Sequence, residues 1–232
     1  MDQYCFSECK AILFDFGGTL DSDGGHWLDR FYRIYLKEGI DVPFSELKEA
    51  FYYADEICCK DPDTNSFGLN SLLNYHVRLQ FKRLGLSFYP VGSRISKSFL
   101  EDMLYYLKRN SALLKSLRSR YKLGVVSNSY GNLPVVFDQL GMSRLLDTVI
   151  DSERVGVRKP DPSIFKIAID EIKVSPSCAV FVGDSYERDI IPCKKLGMKT
   201  VWIKGPNPRI PKDPPVVEAT ITNLMQLKDL FL

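Results

Sequence analysis

The sequence predicts an α/β protein, a parallel sheet with helices on both faces, interrupted after its first strand by an all-helical insert. Three observations carry that prediction. Short uninterrupted apolar runs recur along the chain, helical patterns separate them, and one long early segment has helical periodicity with no strand pattern. Short apolar runs suit strands buried on both faces. The first is Ala11-Ile12-Leu13-Phe14, which stops at Asp15. Others are Leu123-Gly124-Val125-Val126, Ala179-Val180-Phe181-Val182 and Thr200-Val201-Trp202-Ile203, with a weaker one at Asp147-Thr148-Val149-Ile150. Between them, Asp161-Pro162 opens a helix with a capping acid and a proline at the first helical position, turning Phe165, Ala168 and Ile169 inward. Another helix is predicted from about Glu187 to Leu196, stopped by Gly197. Alternation of this kind is the pattern of a parallel sheet.

The insert repeats apolar residues at helical spacing. Trp27 to Leu36 forms one aromatic-rich stretch. Leu47, Ala50, Phe51, Ala54, Ile57 and Cys58 form a second stripe. Leu69, Leu72, Leu73, His76 and Leu79 form a third, and Ile95, Phe99, Met103 and Tyr106 a fourth. The proline-rich stretch from Gly205 to Pro215 predicts a loop.

Composition narrows the function. Lys and Arg total 31 against 29 Asp and Glu, a net charge of +2, so no basic face for nucleic acid is expected. No run reaches the roughly 18 apolar residues of a membrane span. Six cysteines, at 5, 9, 58, 59, 178 and 193, include no Cys-x-x-Cys pair, which suggests neither a zinc site nor a redox motif. The acids Asp2 and Glu8 argue against a secretory signal. These features together predict a reduced, cytoplasmic chain. With only His26 and His76 present, a His-based metal cluster or a Ser-His-Asp triad is a poor candidate.

Ligand sites of open α/β sheets lie at the carboxyl ends of the strands. Here the first strand runs into Asp15-Phe16-Gly17-Gly18-Thr19-Leu20, and the second ends in Ser127-Asn128-Ser129. The loop Val157-Arg158-Lys159-Pro160-Asp161-Pro162 precedes a helix, and a later strand ends in Gly183-Asp184-Ser185-Tyr186-Glu187-Arg188-Asp189. Asp15, Asp184 and Asp189 would crowd three carboxylates, which is costly unless cations compensate. Mg²⁺, an oxygen-seeking ion that keeps waters and a substrate phosphate in its shell, fits that need. Lys159 adds positive charge, and Ser127 and Asn128 can donate to a phosphoryl oxygen. Glycines 17 and 18 let backbone turn closely around ion and substrate.

In this order the four segments resemble the four motifs of the haloacid dehalogenase superfamily. The resemblance implies a Rossmann-like core, residues 1–21 and 109–232, and a helical cap domain over 22–108. It implies Asp15 as the nucleophile, forming an aspartyl-phosphate in phosphatase members, and Lys159 as the cation that orients nucleophile and phosphoryl group. Ser127, with Asn128 and Gly18, would bind the phosphate. Asp15, the Gly17 carbonyl and Asp184 would hold Mg²⁺, with Asp189 behind them. The stretch Leu113-Leu114-Lys115-Ser116-Leu117 fits the family pattern too. The expected partner is a small phosphorylated substrate, with no nucleic acid or membrane, and the expected state a monomer or homodimer.

Position 17 departs from the family. Phosphatases of the superfamily usually have a second aspartate two residues after the nucleophile, acting as general acid and base, and glycine can do neither. The expectation is a phosphatase that favours activated leaving groups. The alternatives are a phosphonatase or dehalogenase-like hydrolase, with Lys37, Lys48 and Lys60 as Schiff-base candidates, or a catalytically silent binding member. His26 lies near enough in sequence to stand in for the acid, but a lone His beside aromatics reads first as a packing residue. His76 reads as core, the aromatics from Trp27 to Tyr53 as cap core, and Asp21 and Asp23 as hinge residues.

Overall fold

The computed structural model describes residues 6–232; Cys5 lies outside the described residues. Six parallel strands form one sheet in the order β3-β2-β1-β4-β5-β6. They are β1 (Ala11–Phe14), β2 (Lys122–Ser127), β3 (Thr148–Asp151), β4 (Ala179–Gly183), β5 (Lys199–Ile203) and β6 (Ala219–Ile221). The chain lays β2 and β3 on one side of β1, then crosses to build β4, β5 and β6 on the other. β1 therefore sits at the point where the strand order reverses, the place where such sheets open a crevice at their carboxyl ends.

β1 is wholly buried because both its faces are covered. Its alternate residues divide between two layers: Ile12 and Phe14 join Val125, Val182 and Val201 on one face, while Ala11 and Leu13 join Ile150, Phe165 and Phe181 on the other. The expected strands are all present. The weak run at 147–150 is shifted by one residue, and β6, with Thr220 exposed between two buried residues, is a strand the hydrophobic pattern does not announce.

Four helices fill the segment after β1: α1 (Trp27–Lys37), α2 (Phe44–Lys60), α3 (Leu69–Arg83) and α4 (Val91–Leu117). Their apolar stripes bury as the spacing predicts, with Leu47, Ala50, Phe51, Ala54 and Cys58 inward on α2. On α4 the stripe continues through Leu107 rather than Tyr106, which is only half-buried. α4 runs unbroken to Leu117, so the boundary drawn at residue 108 falls inside one continuous helix. The apolar core is likewise continuous, from Phe31, Phe51 and Phe99 through Leu107 and Leu114 to the sheet. Asn110, fully buried on α4, donates to the Leu20 carbonyl at 2.8 Å and ties that helix to the turn after β1.

The remaining helices are α5 (Leu133–Gln139), α6 (Ser152–Val155), α7 (Ser163–Ile172), α8 (Ile191–Lys195) and α9 (Leu227–Phe231). α7 begins one step later than expected, with Asp161 Oδ1 accepting from the Ser163 N–H at 2.9 Å. The predicted helix over 187–196 opens instead as a wide turn, Tyr186–Ile190, before α8. Gly197, at φ 80°, then reverses the chain as a C-cap glycine does.

Gly124 on β2 is closely packed within the sheet. A Cβ there would lie 2.5 Å from Thr148 Cγ2 and 2.7 Å from Leu13 Cδ2. Gly124→Ala should cost about 1–3 kcal/mol through overpacking, measured by urea unfolding. Adding Thr148→Ser, which deletes the clashing methyl, should recover part of that loss; equal stability of the single variant and the parent would contradict the packing described.

Candidate active site

The carboxyl ends of β1, β2 and β4 and the loop before α7 converge on one cleft beneath the helical cap. Asp15 follows β1 directly and is held by its own N–H, which donates to the Val182 carbonyl at 3.0 Å. Its Oδ1 accepts from the Ser127 hydroxyl at 2.8 Å and from Lys159 Nζ at 2.7 Å. Oδ2 has no such partner among the described residues, and Asp15 lines the cleft. Lys159 also donates to Asp189 Oδ1 at 2.7 Å. The lysine is buried, and although burial opposes its charge, Asp15 and Asp189 outweigh that and raise its pKa.

Asp184 completes the set. Oxygens of Asp15, Asp184 and Asp189 lie within 4.8 Å of one another. Burial first, then the charges of Asp15 and Asp189, push the Asp184 carboxyl well above its ordinary range. Asp189 is also raised, mainly by burial, despite the lysine beside it. Two glycines make the crowding possible. Gly18, at φ 91°, brings backbone to within 2.6 Å of Asp184 Oδ2, measured from where a Cβ would stand. Gly183 does the same for Asp189, at 2.5 Å. Three clustered carboxylates, two buried and Asp184 half-buried, against one ammonium are short of positive charge, and the all-oxygen donor set suits Mg²⁺. Asp15, Asp184 and the Gly17 carbonyl are the groups that would hold it, with Asp189 supporting through Lys159 and the Ser185 N–H.

Two residues expected to bind phosphate through side chain or amide are otherwise engaged. The Asn128 side chain clamps the backbone of Lys159, accepting from its N–H at 2.8 Å and donating to its carbonyl at 2.9 Å. The Gly18 N–H donates to Asp21 Oδ1 at 2.6 Å. The Asn128 side chain and the Gly18 amide thus brace the site, and Asn128 also lines the cleft.

Asp21 is more than turn chemistry. Fully buried, it collects the Gly18 N–H, the Trp27 indole N–H at 2.6 Å and Arg30 Nη1 at 2.8 Å. This brings Trp27 over Gly17, where a Cβ would stand 3.4 Å from the indole nitrogen. Asp23 is gripped by both terminal nitrogens of Arg109 at 2.8 and 2.7 Å and takes the Leu224 N–H at 2.9 Å, joining the cap helix α4 to the C-terminal part of the core.

His26 lines the cleft beside Gly17. Its Nδ1 accepts the Leu28 N–H at 3.2 Å as the cap of α1, and its Nε2 lies 3.3 Å from Arg188 Nη2, which can only donate. Burial and the nearby Arg188 lower its pKa to about 4. A ring held neutral, with Nδ1 capping a helix and Nε2 beside a guanidinium, is a poor proton acceptor, so the packing reading of His26 stands over a replacement for the absent acid. Sequence reasoning missed Asp151 and Asp55. Asp151, fully buried at the end of β3, takes the N–H groups of Gly131 and Leu133 at 2.9 and 3.1 Å and so shapes the loop after Ser127. Asp55 enters the cleft from α2. An acid at the end of one apolar run was the available signal for the first; an acid amid an apolar helical stripe was the signal for the second.

A fold of this topology with this constellation defines a hydrolase class, and comparison with known proteins agrees. Residues 9–197 match the family model of the haloacid dehalogenase-like hydrolases. The chain belongs to that family. It is 30% identical to haloacid dehalogenase-like hydrolase domain-containing protein 3 of Bos taurus, over 75% of this chain and 73% of that one. It is 38% identical to a glyceraldehyde 3-phosphate phosphatase of Pyrococcus abyssi, over 84% of this chain and 81% of that one. A crystal structure of a 2-haloacid dehalogenase from Pseudomonas syringae shares the fold, with a TM-score of 0.53 at 23% identity over 96% of this chain and 97% of that one. The protein is thus a hydrolase of the haloacid dehalogenase superfamily. Among the described residues no helix is long and apolar enough to cross a membrane.

The carboxylate cluster sets a test of metal binding that needs no turnover. Mg²⁺ at about 100 times its Kd should stabilise the fold by about 2.7 kcal/mol, and Asp184→Asn should abolish the effect. Because the folded-state pKa of Asp184 is raised, ionising it costs stability as pH climbs above 3.8. Metal-free Asp184→Asn should therefore match or exceed the parent in thermal stability at neutral pH; a variant that is less stable and still responds to Mg²⁺ would refute the assignment.

Proposed function

We propose that the protein hydrolyses small phosphorylated substrates with Mg²⁺, through an aspartyl-phosphate on Asp15. The observation that carries this reading is the asymmetric bonding of Asp15 at the cleft: Ser127 and Lys159 both hold Oδ1, and Oδ2 takes no hydrogen bond among the described residues. A carboxylate oriented in this way can attack a phosphorus atom in line while the leaving group departs on the far side. Lys159, bonded to Oδ1, would offer its positive charge to the phosphoryl oxygens. Bound Mg²⁺ would supply further positive charge to the transferring group. Water then cleaves the acyl phosphate, releasing phosphate and restoring Asp15.

The acidic cluster and the phosphatase named among the relatives favour phosphoryl transfer over the alternatives. A Schiff-base mechanism needs a lysine in the cleft. Lys37, Lys48 and Lys60 are all exposed, and among the described residues lining the cleft the lysine is Lys159, already bonded to two carboxylates. The complete set of Asp15, Lys159, Asp184 and Asp189 likewise supports turnover over a silent binding role.

Gly17 shapes the leaving-group preference. Loss of a general acid typically removes about 10²–10⁴-fold of rate, least when the leaving group is already stable as an anion. Phosphate release with Mg²⁺ should be at least about 10²-fold faster, as kcat/KM, from acetyl phosphate than from a sugar phosphate, and Asp15→Asn should abolish both. Position 17 has φ −75° and ψ 119°, which any L-residue adopts, so Gly17→Asp should fold and raise activity on the sugar phosphate. Equal rates on the two substrates in the parent protein would overturn the preference, and activity persisting in Asp15→Asn would overturn the mechanism.

A further inference from the structure

A chain of buried polar side chains runs through the cap and ends in the cleft. Tyr35 on α1 donates its hydroxyl to Gln80 Oε1 at 2.8 Å. The Gln80 amide nitrogen, which can only donate, lies 2.7 Å from His76 Nδ1. That nitrogen is therefore the acceptor, and the ring hydrogen sits on Nε2, which faces Asp55 Oδ1 at 3.2 Å. The same Oδ1 accepts the hydroxyl of Tyr130, from the loop after β2. Tyr35, His76 and Gln80 are fully buried, and His76 is stacked on Phe31, with ring centroids 5.7 Å apart and planes 2° from parallel.

Placing three polar side chains inside an aromatic core costs stability unless each is satisfied, about 1–3 kcal/mol for each group left bare. Here every donor and acceptor is arranged in one direction, and the series terminates on a single carboxylate oxygen. Asp55 is fixed from the cap by His76 and from the core by Tyr130, so its place depends on the two parts meeting. Its second oxygen, Oδ2, has no hydrogen-bond partner among the described residues, and Asp55 lines the cleft that holds Asp15. Around it the wall is largely apolar, with Trp27, Phe51 and Leu72.

We propose that Asp55 selects the leaving group: Oδ2 accepts from a hydroxyl or ammonium carried by the part of the substrate that departs, while the apolar wall packs its carbon skeleton. This rests on the cleft being the phosphate-ester site proposed above. A donor-bearing leaving group fits the acceptor left unpaired; a leaving group ending in a carboxylate meets like charge and is excluded.

The test compares meta and para isomers of aminomethylphenol, hydroxymethylphenol and methylphenol, products of the corresponding aryl phosphates, by calorimetric titration of the parent and Asp55→Asn. Asn keeps an Oδ1 to accept from Tyr130 and His76 and replaces only the free acceptor with a donor. In the parent, at least one isomer of each donor-bearing product should bind about tenfold more tightly than its methyl counterpart, the effect of one hydrogen bond to a charged group. Asp55→Asn should lose that advantage and leave methylphenol binding unchanged. Absence of discrimination in the parent, its persistence in the variant, or an equal loss for all products would overturn the proposal, the last marking Asp55 as a cap–core latch only. Phosphate release from the matching aryl phosphates is read separately: discrimination in binding without release would sink the phosphatase reading and leave Asp55 as a ligand-selecting residue.

Discussion

The ammonium of Lys159, buried between Asp15 and Asp189, is the interaction on which the rest of the site depends. Removing one partner from such a buried pair leaves an uncompensated charge, at a cost of about 3–5 kcal/mol. Lys159 is accordingly braced by its own backbone, which Asn128 clamps on both sides. The lysine holds the carboxylates of β1 and β4 close enough to serve a cation, yet it neutralises only part of their charge. That shortfall is what a bound cation would make up in the proposed reaction.

Close approach of backbone to carboxylate is the second constraint. Gly18 and Gly183 stand where a side chain would collide with Asp184 and Asp189. Gly17 is different in kind. Its backbone is ordinary, its Cβ position meets only the edge of Trp27, and nothing in its conformation demands glycine. Neither the backbone nor the Cβ contact at position 17 therefore requires glycine.

The cap is joined to the core by ionic and polar ties as well as by a shared helix. Asp21 binds Trp27 and Arg30 of α1 to the Gly18 amide, and Asp23 binds Arg109 of α4 to the Leu224 amide. Both acids follow Asp15 within eight residues, so the segment that carries the proposed nucleophile also anchors the cap. On the far wall Tyr130 reaches from the core to Asp55, and the buried series behind Asp55 holds it against α3. Anchoring of the cap and placement of Asp15 thus share the same short stretch of chain.

The sequence by itself determined the strands that are buried on both faces, since a continuous apolar run has no other stable place in a sheet covered by helices. It also marked the acids at their carboxyl ends, the lysine loop and the helical insert, because each of these is a local pattern. Only the tertiary structure decided which donors are free. Asn128 and Gly18 carry the right groups for phosphate, but Lys159 and Asp21, distant or turned back in sequence, take them up. β6 escaped notice because three residues paired at a sheet edge make no pattern of their own. Asp55, Tyr130, His76, Gln80 and Tyr35 come from four separate segments, and no periodicity within any one of them foretells that they meet. A hydrogen-bond series across a packed core is a property of how helices cross, and that is set by the fit of many side chains at once.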